Sequence, residues 1–303
     1  MSSVAKVLPN RKHHKPRYSA FDVINGILMV LISLCAILPF WIILTASLSN
    51  NALLQKNGVS ILFQGFTFEG YKFLFSMSDL FLHSILVSFL TSLASSLISV
   101  IVCTAAAYVL SKKYLPGRGF LNVFFMITMF FSGGTIPTYL IIRGIGIYDT
   151  VWALILPGAV STYSILIMRN FFYSVPKELE EAAVVDGAND FQILVRVYLP
   201  LAIPMMLTIG IMTFVGKWNE WLPSLLYLGS GHQSLWTVQY VLRQMLTDMQ
   251  SIYGSSATGS VVDAPLIAAK NATVAIVVLP LIVLSPVLHK YYAKGLMEGS
   301  IKG

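Results

Sequence analysis

The chain contains 303 residues, of which 56% are hydrophobic and only 11% are charged. Soluble domains carry about a quarter of their residues as Asp, Glu, Lys or Arg, so this composition excludes an ordinary soluble enzyme. The net charge of +7 is typical of proteins that bind nucleic acid, but here the basic residues flank apolar stretches, which argues against that class.

Six uncharged apolar stretches are long enough to cross the hydrocarbon core of a membrane as helices. They cover residues 24–48, 80–110, 120–142, 151–168, 198–216 and 272–288. The sequence therefore predicts an all-α integral membrane protein with six transmembrane helices. Basic residues precede the first stretch, as they precede the apolar core of a signal peptide. The first stretch is too long for such a core, however, and no clear cleavage site follows it. Cys35 and Cys103 lie inside these stretches and are expected to be packing residues.

The distribution of basic residues predicts the orientation of the chain. If the N-terminus is cytoplasmic, most of the 20 Lys and Arg residues fall in cytoplasmic segments, as the positive-inside rule requires. Both termini are then cytoplasmic. We expect a basic tail over residues 1–19 that faces anionic membrane lipid, a transmembrane domain over 20–292 and a C-terminal tail over 293–303.

Two features precede the fourth stretch. The outer segment 49–79 mixes aromatic residues with glycines, which is compatible with a position partly at the membrane interface. The tripeptide Ser132-Gly133-Gly134 lies inside the third stretch, where glycines permit a kink or close helix packing.

The cytoplasmic segment between the fourth and fifth stretches predicts two short helices. Pro176 suits a first helical turn, and the glutamates that follow it favour the positive end of the helix dipole. Gly187 permits a turn. Asn189 and Gln192 have the spacing of a capping box, which predicts a second helix through Arg196. A membrane protein rarely builds a helix pair in a short loop unless a partner docks there.

This segment resembles the EAA loop of permease subunits of ABC importers, and its place between the fourth and fifth of six spans resembles the maltose-type subgroup. The family pattern is Glu-Ala-Ala, a spaced glycine, an aliphatic residue (usually Ile, here Val197) and Leu-Pro. A solvated amphipathic loop is the alternative, but the fixed spacing argues for a coupling role. The resemblance implies coupling to an ATPase for Glu181, Ala182, Ala183, Asp186, Gly187, Ala188, Val197, Leu199 and Pro200.

The resemblance implies a type I ABC importer transmembrane-domain fold in a bacterial or archaeal cell membrane, with the coupling loop over 176–200. The implied partners are a second homologous permease subunit, two ATP-binding-cassette ATPase subunits and an extracytoplasmic sugar-binding protein. No phosphate-binding Gly-x-x-x-x-Gly-Lys-Ser/Thr loop occurs in the sequence. We therefore expect no catalytic residue, cofactor or metal on this chain, with ATP and Mg bound by the ATPase subunits.

Residues 217–223 resemble the Trp-Asn-aromatic element of carbohydrate permeases, and most closely the subgroup that imports oligosaccharides derived from polysaccharides. Aromatic faces pack on sugar rings, and Asn or Glu side chains hydrogen-bond sugar hydroxyls. Tryptophans at the end of a span are also typical of an interfacial belt, and Lys217 lies close enough to Glu220 to form an ion pair. The candidate residues of the substrate path are Trp218, Asn219, Glu220 and Trp221.

The outer segment 227–270 is rich in Ser, Gly and Thr and lacks strong periodicity, which predicts a functional or mobile loop. Arg143 and Arg243 either attract an acidic sugar from the outside or are solvated loop charges. An ion-driven secondary transporter is the alternative function. It would require carboxylates or histidines as relays inside the membrane, and the deep parts of the spans lack Asp and Glu.

Overall fold

The computed structural model describes residues 20–77, 79–229, 231–255 and 265–298. The predicted tail 1–19 and the last residues, 299–303, lie outside these ranges. Within them, regular secondary structure is helical apart from one antiparallel bridge between Ser49 and Phe66. The α-helices are α1 (Ala20–Ser47), α2 (Asn51–Asn57), α3 (Glu69–Met77), α4 (Asp79–Ser111), α5 (Arg118–Phe130), α6 (Thr135–Gly144), α7 (Trp152–Ile155), α8 (Thr162–Ser174), α9 (Lys177–Val185), α10 (Asp190–Ile193), α11 (Leu199–Trp218), α12 (Leu222–Tyr227), α13 (Val238–Ser255) and α14 (Leu266–Glu298).

Long apolar helices confirm four of the six predicted stretches. Within the described ranges, four segments have the length and composition of membrane spans: Phe21–Ser47, Leu80–Ser111, Asp190–Trp218 and Leu266–Val283. A fifth candidate is the pair of α5 and α6, which is bent by 114°. The all-α prediction therefore agrees with the described part of the chain.

The third predicted stretch, 120–142, is bent at its glycines. Residues 131–134 separate α5 from α6, and Gly134 adopts a φ of 86°, a conformation in which a side chain would be strained. Of the two roles expected for Ser132-Gly133-Gly134, a kink or close helix packing, the structure shows the kink.

The single helix predicted over 151–168 is wrong. Helix α7 has only 4 residues, and a turn separates it from α8. The ammonium of Lys217 donates hydrogen bonds to the carbonyl oxygens of Leu154, at 3.3 Å, and of Pro157. Buried carbonyls at a helix end need a donor, so a lysine about 60 residues further along the chain stabilises this break.

The second helix of the predicted cytoplasmic segment was expected to run through Arg196, but in the structure it continues beyond that residue. A π-helical turn (Leu194–Tyr198) joins α10 to α11, so that Asp190–Trp218 is one continuous helix. In this turn the amide of Leu199 donates to the carbonyl of Leu194. The wide turn directly precedes Pro200, which has no N–H to donate, so the helix passes the proline without a break.

The sequence predicts a loop over residues 227–270, but residues 238–255 form helix α13, so the prediction is wrong there. Val238 and Val241 on this helix pack with Trp218 and Leu74 in one buried cluster. Residues 256–264 of the predicted loop lie outside the described ranges.

The core of the molecule lies along α4, which packs against α8 and α11. Small hydroxyl side chains on α4 allow close approach and bond across to the neighbouring backbone. Ser95 donates to the carbonyl of Ile155 at 2.9 Å, and Ser96 donates to that of Gly210 at 2.7 Å. The buried hydroxyl residues in the first two thirds of α4 are Ser84, Ser88, Thr91, Ser92, Ser95, Ser96 and Ser99.

The crossing of α3 over α14 gives a first prediction. A Cβ atom on Gly70 would lie 2.7 Å from the carbonyl carbon of Ala268, so Gly70→Ala must displace one helix. We expect a lower unfolding temperature in detergent, because overpacking costs about 1–3 kcal/mol. Gly26→Ala in α1 is the control, since no atom lies within 4 Å of its added Cβ. Equal unfolding temperatures for the two variants would contradict the close crossing.

Candidate functional site

The predicted coupling segment is a helical hairpin in which residues 186–189 connect the two arms. Helix α9 ends in a Schellman motif, in which the amide of Ala188 donates to the carbonyl of Ala183 and that of Gly187 to Val184, both at 3.0 Å. Gly187 has a φ of 81°, and Asp186 is the C-cap residue. The turn is thus closed by backbone bonds that require a left-handed residue, which explains the glycine at this position.

The helix that follows the turn begins with the predicted capping box. The side-chain oxygen of Asn189 accepts from the amide of Gln192 at 2.9 Å, and the side-chain oxygen of Gln192 accepts from the amide of Asn189 at 3.0 Å. The capping box is therefore confirmed. Because both helix ends are capped, the two arms meet in a defined geometry.

The predicted coupling residues all lie on this hairpin and divide between two environments. Ala183, Ala188 and Val197 pack against the core between α4, α8 and α11, and Leu199 is half-buried. The exposed members are Glu181, Ala182, Asp186, Gly187 and Pro200.

Exposed apolar side chains at the tip of the hairpin were missed by sequence reasoning. Val185 is 86% exposed and Phe191 is 72% exposed. They flank the glycine turn in a segment otherwise rich in charge, and this contrast was the signal in the sequence. An exposed apolar tip beside acidic residues has the composition of a contact surface.

A largely buried ion pair fastens the hairpin to the end of α4. The ammonium of Lys112 lies 2.6 Å from a carboxylate oxygen of Glu180, and the hydroxyl of Tyr198 donates to the other oxygen at 2.6 Å. Lys112 also lies over the rings of Tyr108 and Tyr198, at 4.2 and 4.8 Å. The Lys112 side chain is only 7% exposed and that of Glu180 is 25% exposed. We call Lys112, Glu180, Tyr108 and Tyr198 the hairpin clamp.

The clamp depends on the charge of Glu180. Partial burial opposes ionisation of this carboxyl, but the hydrogen bonds from Lys112 and Tyr198 outweigh it and hold its pKa below the ordinary value. A carboxyl with a lowered pKa stabilises the folded state above its unfolded pKa and loses that contribution as the pH falls through the folded value. The clamp is therefore intact at neutral pH and weakens only in acid.

The second arm of the hairpin is fixed to the same end of α4. Tyr114 donates to the carboxylate of Asp190 at 2.8 Å, and Tyr108 donates to the carbonyl of Asp190 at 3.0 Å. In the sequence, Lys112 counted only as one of the basic residues that predict the orientation of the chain in the membrane. Glu180 counted only as one of the glutamates that favour the positive end of the helix dipole. No local pattern connects residues that are 68 positions apart.

The candidate residues of the substrate path lie at the other end of α11, where their exposure differs. Trp218 is 2% exposed, stacks on Phe214 with ring centroids 6.2 Å apart and donates its indole N–H to the carbonyl of Val277. Its side chain therefore contributes to helix packing. The predicted pair of Lys217 and Glu220 is confirmed, with a separation of 2.9 Å.

Asn219, Glu220 and Trp221 remain at least partly open to the surroundings. Helix α13, which sequence reasoning did not predict, adds two polar side chains to them. Gln239 donates to the side-chain oxygen of Asn219 at 3.3 Å, and the guanidinium carbon of Arg243 lies 3.7 Å from the centre of the Trp221 ring. We call Asn219, Glu220, Trp221, Gln239 and Arg243 the outer site, after the orientation that the sequence predicts; the site joins the end of α11 to α13.

Comparison with known proteins finds matches over most of the chain. The profile of a family described as "Binding-protein-dependent transport system inner membrane component" matches residues 17–298. The chain is 35% identical over 293 residues to Protein LplC of Bacillus subtilis, covering 96% of this chain and 98% of that protein. It is 33% identical over 284 residues to the polygalacturonan/rhamnogalacturonan transport system permease protein YtcP of the same species, covering 93% and 98%.

A solved structure shows the same fold. It is a chain of a bacterial ABC transporter involved in the import of the acidic polysaccharide alginate. The TM-score is 0.79 at 29% sequence identity, and the match covers 92% of this chain and 100% of that chain.

The hairpin clamp gives a second prediction. Glu180→Gln leaves the buried Lys112 ammonium without a counter-charge, which is costly. We expect amide hydrogen exchange over residues 177–190 to become at least about tenfold faster, equivalent to about 1.4 kcal/mol. Glu178→Gln is the matched control, because Glu178 is exposed on the same helix. Equal exchange in both variants would show that the ion pair does not hold the hairpin.

Proposed function

The chain belongs to the family of inner-membrane components of binding-protein-dependent transport systems, and we propose that it imports an oligosaccharide. It is a permease subunit of an ABC importer, and ATP hydrolysis is carried out by a separate subunit. In the proposed complex it pairs with a second, related permease, two ATP-binding-cassette ATPase subunits that bind ATP and Mg, and an extracytoplasmic sugar-binding protein. The complex resides in a bacterial or archaeal cell membrane. Relatives named for sugar polymers support the substrate class.

The proposed coupling element is the hairpin over residues 176–200. The observation that carries this assignment is the continuous helix Asp190–Trp218, whose 29 residues extend about 43 Å at 1.5 Å per residue. One end of this helix is an arm of the hairpin, and the other end carries the candidate substrate residues. Movement of an ATPase that contacts the exposed face around Glu181 and Gly187 would therefore reach the outer site through one rigid element.

The proposed topology has six crossings and cytoplasmic termini. Lys112, just past the C-terminal end of α4, contacts the hairpin, whereas Phe81, near the start of α4, shares a buried cluster with Trp218. Helix α11 is therefore antiparallel to α4. We assign α5 with α6 to the third crossing and α7 with α8 to the fourth. A broken crossing is tolerated where protein satisfies its backbone, as Lys217 does here.

The substrate path is proposed to include Asn219, Glu220 and Trp221, with Trp218 as the packing residue that positions them. Asn and Glu suit sugar hydroxyls, and an indole face suits a pyranose ring. The family match argues against the ion-driven alternative, since this family belongs to ATP-driven importers.

Substitution of the turn glycine tests the coupling role. Gly187→Val places a β-branched side chain at a φ of 81°, which such residues do not adopt readily, so the hairpin turn must change. We expect uptake to fall at least about tenfold while the amount of protein in the membrane is unchanged. Gly117→Val is the matched control, with a φ of 72° and the same open surroundings. Equal uptake by the two variants, or loss of insertion only at Gly187, would refute the assignment.

The energy source is tested separately, with labelled oligosaccharide taken up by intact cells. ATP-driven import is expected to be blocked by vanadate, which inhibits the ATPase cycle, and to persist when an ionophore dissipates ion gradients. The reverse pattern would support a secondary transporter instead.

A further inference from the structure

Arg243 is an exposed arginine in contact with an aromatic face. Its guanidinium carbon lies 3.7 Å from the centre of the Trp221 ring, a distance that requires nearly face-to-face contact. Contact through the face of a guanidinium leaves the N–H donors along its edge available. The indole thereby fixes the orientation of the guanidinium and lowers the entropy that a ligand contact would cost.

No carboxylate neutralises Arg243 within the part of the chain whose side chains are described. The ion pairs there join Lys112 to Glu180, Lys217 to Glu220 and His232 to Asp149. The nearby acidic residue, Glu220, is thus already paired with a lysine. Among the described side chains of the outer site, the positive charge of Arg243 is paired with no carboxylate.

The polar groups beside Arg243 suit a carbohydrate. Asn219 is exposed and lies two residues before Trp221, and Gln239 donates to its side-chain oxygen. The Asn219 amide also donates to the carbonyl of Val215, and each carboxamide keeps a further donor and acceptor for a ligand. An arginine in a membrane protein is costly against lipid and normally faces a polar cavity or water. Arg243 is exposed and lies four residues after Gln239 on α13, so the two side chains share one face of that helix.

We propose that Arg243, oriented by Trp221, binds a carboxylate of the substrate, so that the transported oligosaccharides contain uronic acids. A guanidinium edge binds a carboxylate through two parallel hydrogen bonds, which a neutral sugar cannot form. The proposal rests on the proposed function in assuming oligosaccharide import, and it adds the substrate charge and the residue that selects it.

The test compares acidic and neutral forms of the same sugars. The complete importer, reconstituted in proteoliposomes with its binding protein and ATP, is supplied with trigalacturonate or trimannuronate, or with the methyl ester of either. Esterification removes the charge and keeps the rings and hydroxyls. Saturation of the binding protein by each trisaccharide is measured with the isolated binding protein, because the permease substitutions do not alter that protein.

We expect Arg243→Gln to lower uptake of the acidic trisaccharides at least about tenfold and to leave ester uptake unchanged. Arg243→Lys restores part of the loss, because it keeps the charge without the paired donors. Arg143→Gln is the matched control: Arg143 is also exposed and lies 5.9 Å over the ring of Tyr148. We expect the Arg143→Gln variant to keep the wild-type ratio of acidic trisaccharide uptake to methyl ester uptake.

Each other outcome overturns a specific claim. An equal fall in acid and ester uptake in Arg243→Gln would show a structural role, and no fall in either would show that the residue does not contact substrate. Wild-type import of neutral oligosaccharides but not of either acid would refute the uronate assignment and leave the proposed function intact. Absence of ATP-dependent uptake of any oligosaccharide would refute the proposed function itself.

Discussion

The organisation of this protein depends on how backbone polar groups are satisfied where helices break inside an apolar molecule. Hydrocarbon offers these groups no partner, so each break needs a donor or acceptor from the protein. Lys217 supplies donors to the carbonyls at the end of α7, and a π-helical turn carries the chain past Pro200. The break after α7 is therefore placed where Lys217 can support it, whereas the helix continues through Pro200.

Two buried lysines mark the two ends of the helix pair formed by α4 and α11. Lys112 pairs with Glu180 at the hairpin, and Lys217 pairs with Glu220 at the outer site. Each ammonium makes further contacts: Lys112 lies over tyrosine rings, and Lys217 donates hydrogen bonds to carbonyl oxygens. Desolvated charges are stable only when they are fully partnered, so these two pairs tie both ends of the helix pair to the same core. One continuous helix joins the hairpin to the end of α11, so the proposed coupling element and the proposed substrate path can move together.

The sequence predicts only the part of the outer site that lies at the end of α11, and the part on α13 was missed. The motif around Asn219 and Trp221 was indicated by its resemblance to an element of carbohydrate permeases, and the pairing of Lys217 with Glu220 followed from helical spacing. The contributions of Gln239 and Arg243 were not found, because α13 lies in a stretch rich in polar residues that was taken for a loop. Its buried face is completed only by contact with Trp218 and Leu74.

Local sequence by itself determined the apolar helices, the glycine turn at Gly187, the capping box of Asn189 and Gln192, and the kink at the glycines before α6. Each of these depends on residues within one or two helical turns, where composition and spacing carry the physical information. Tertiary structure alone decided the break after α7, the continuity of Asp190–Trp218 and the fastening of Glu180 to Lys112. The reason is that a buried carbonyl or charge takes its partner from whichever part of the chain packs against it, and that choice is made by the assembled helices.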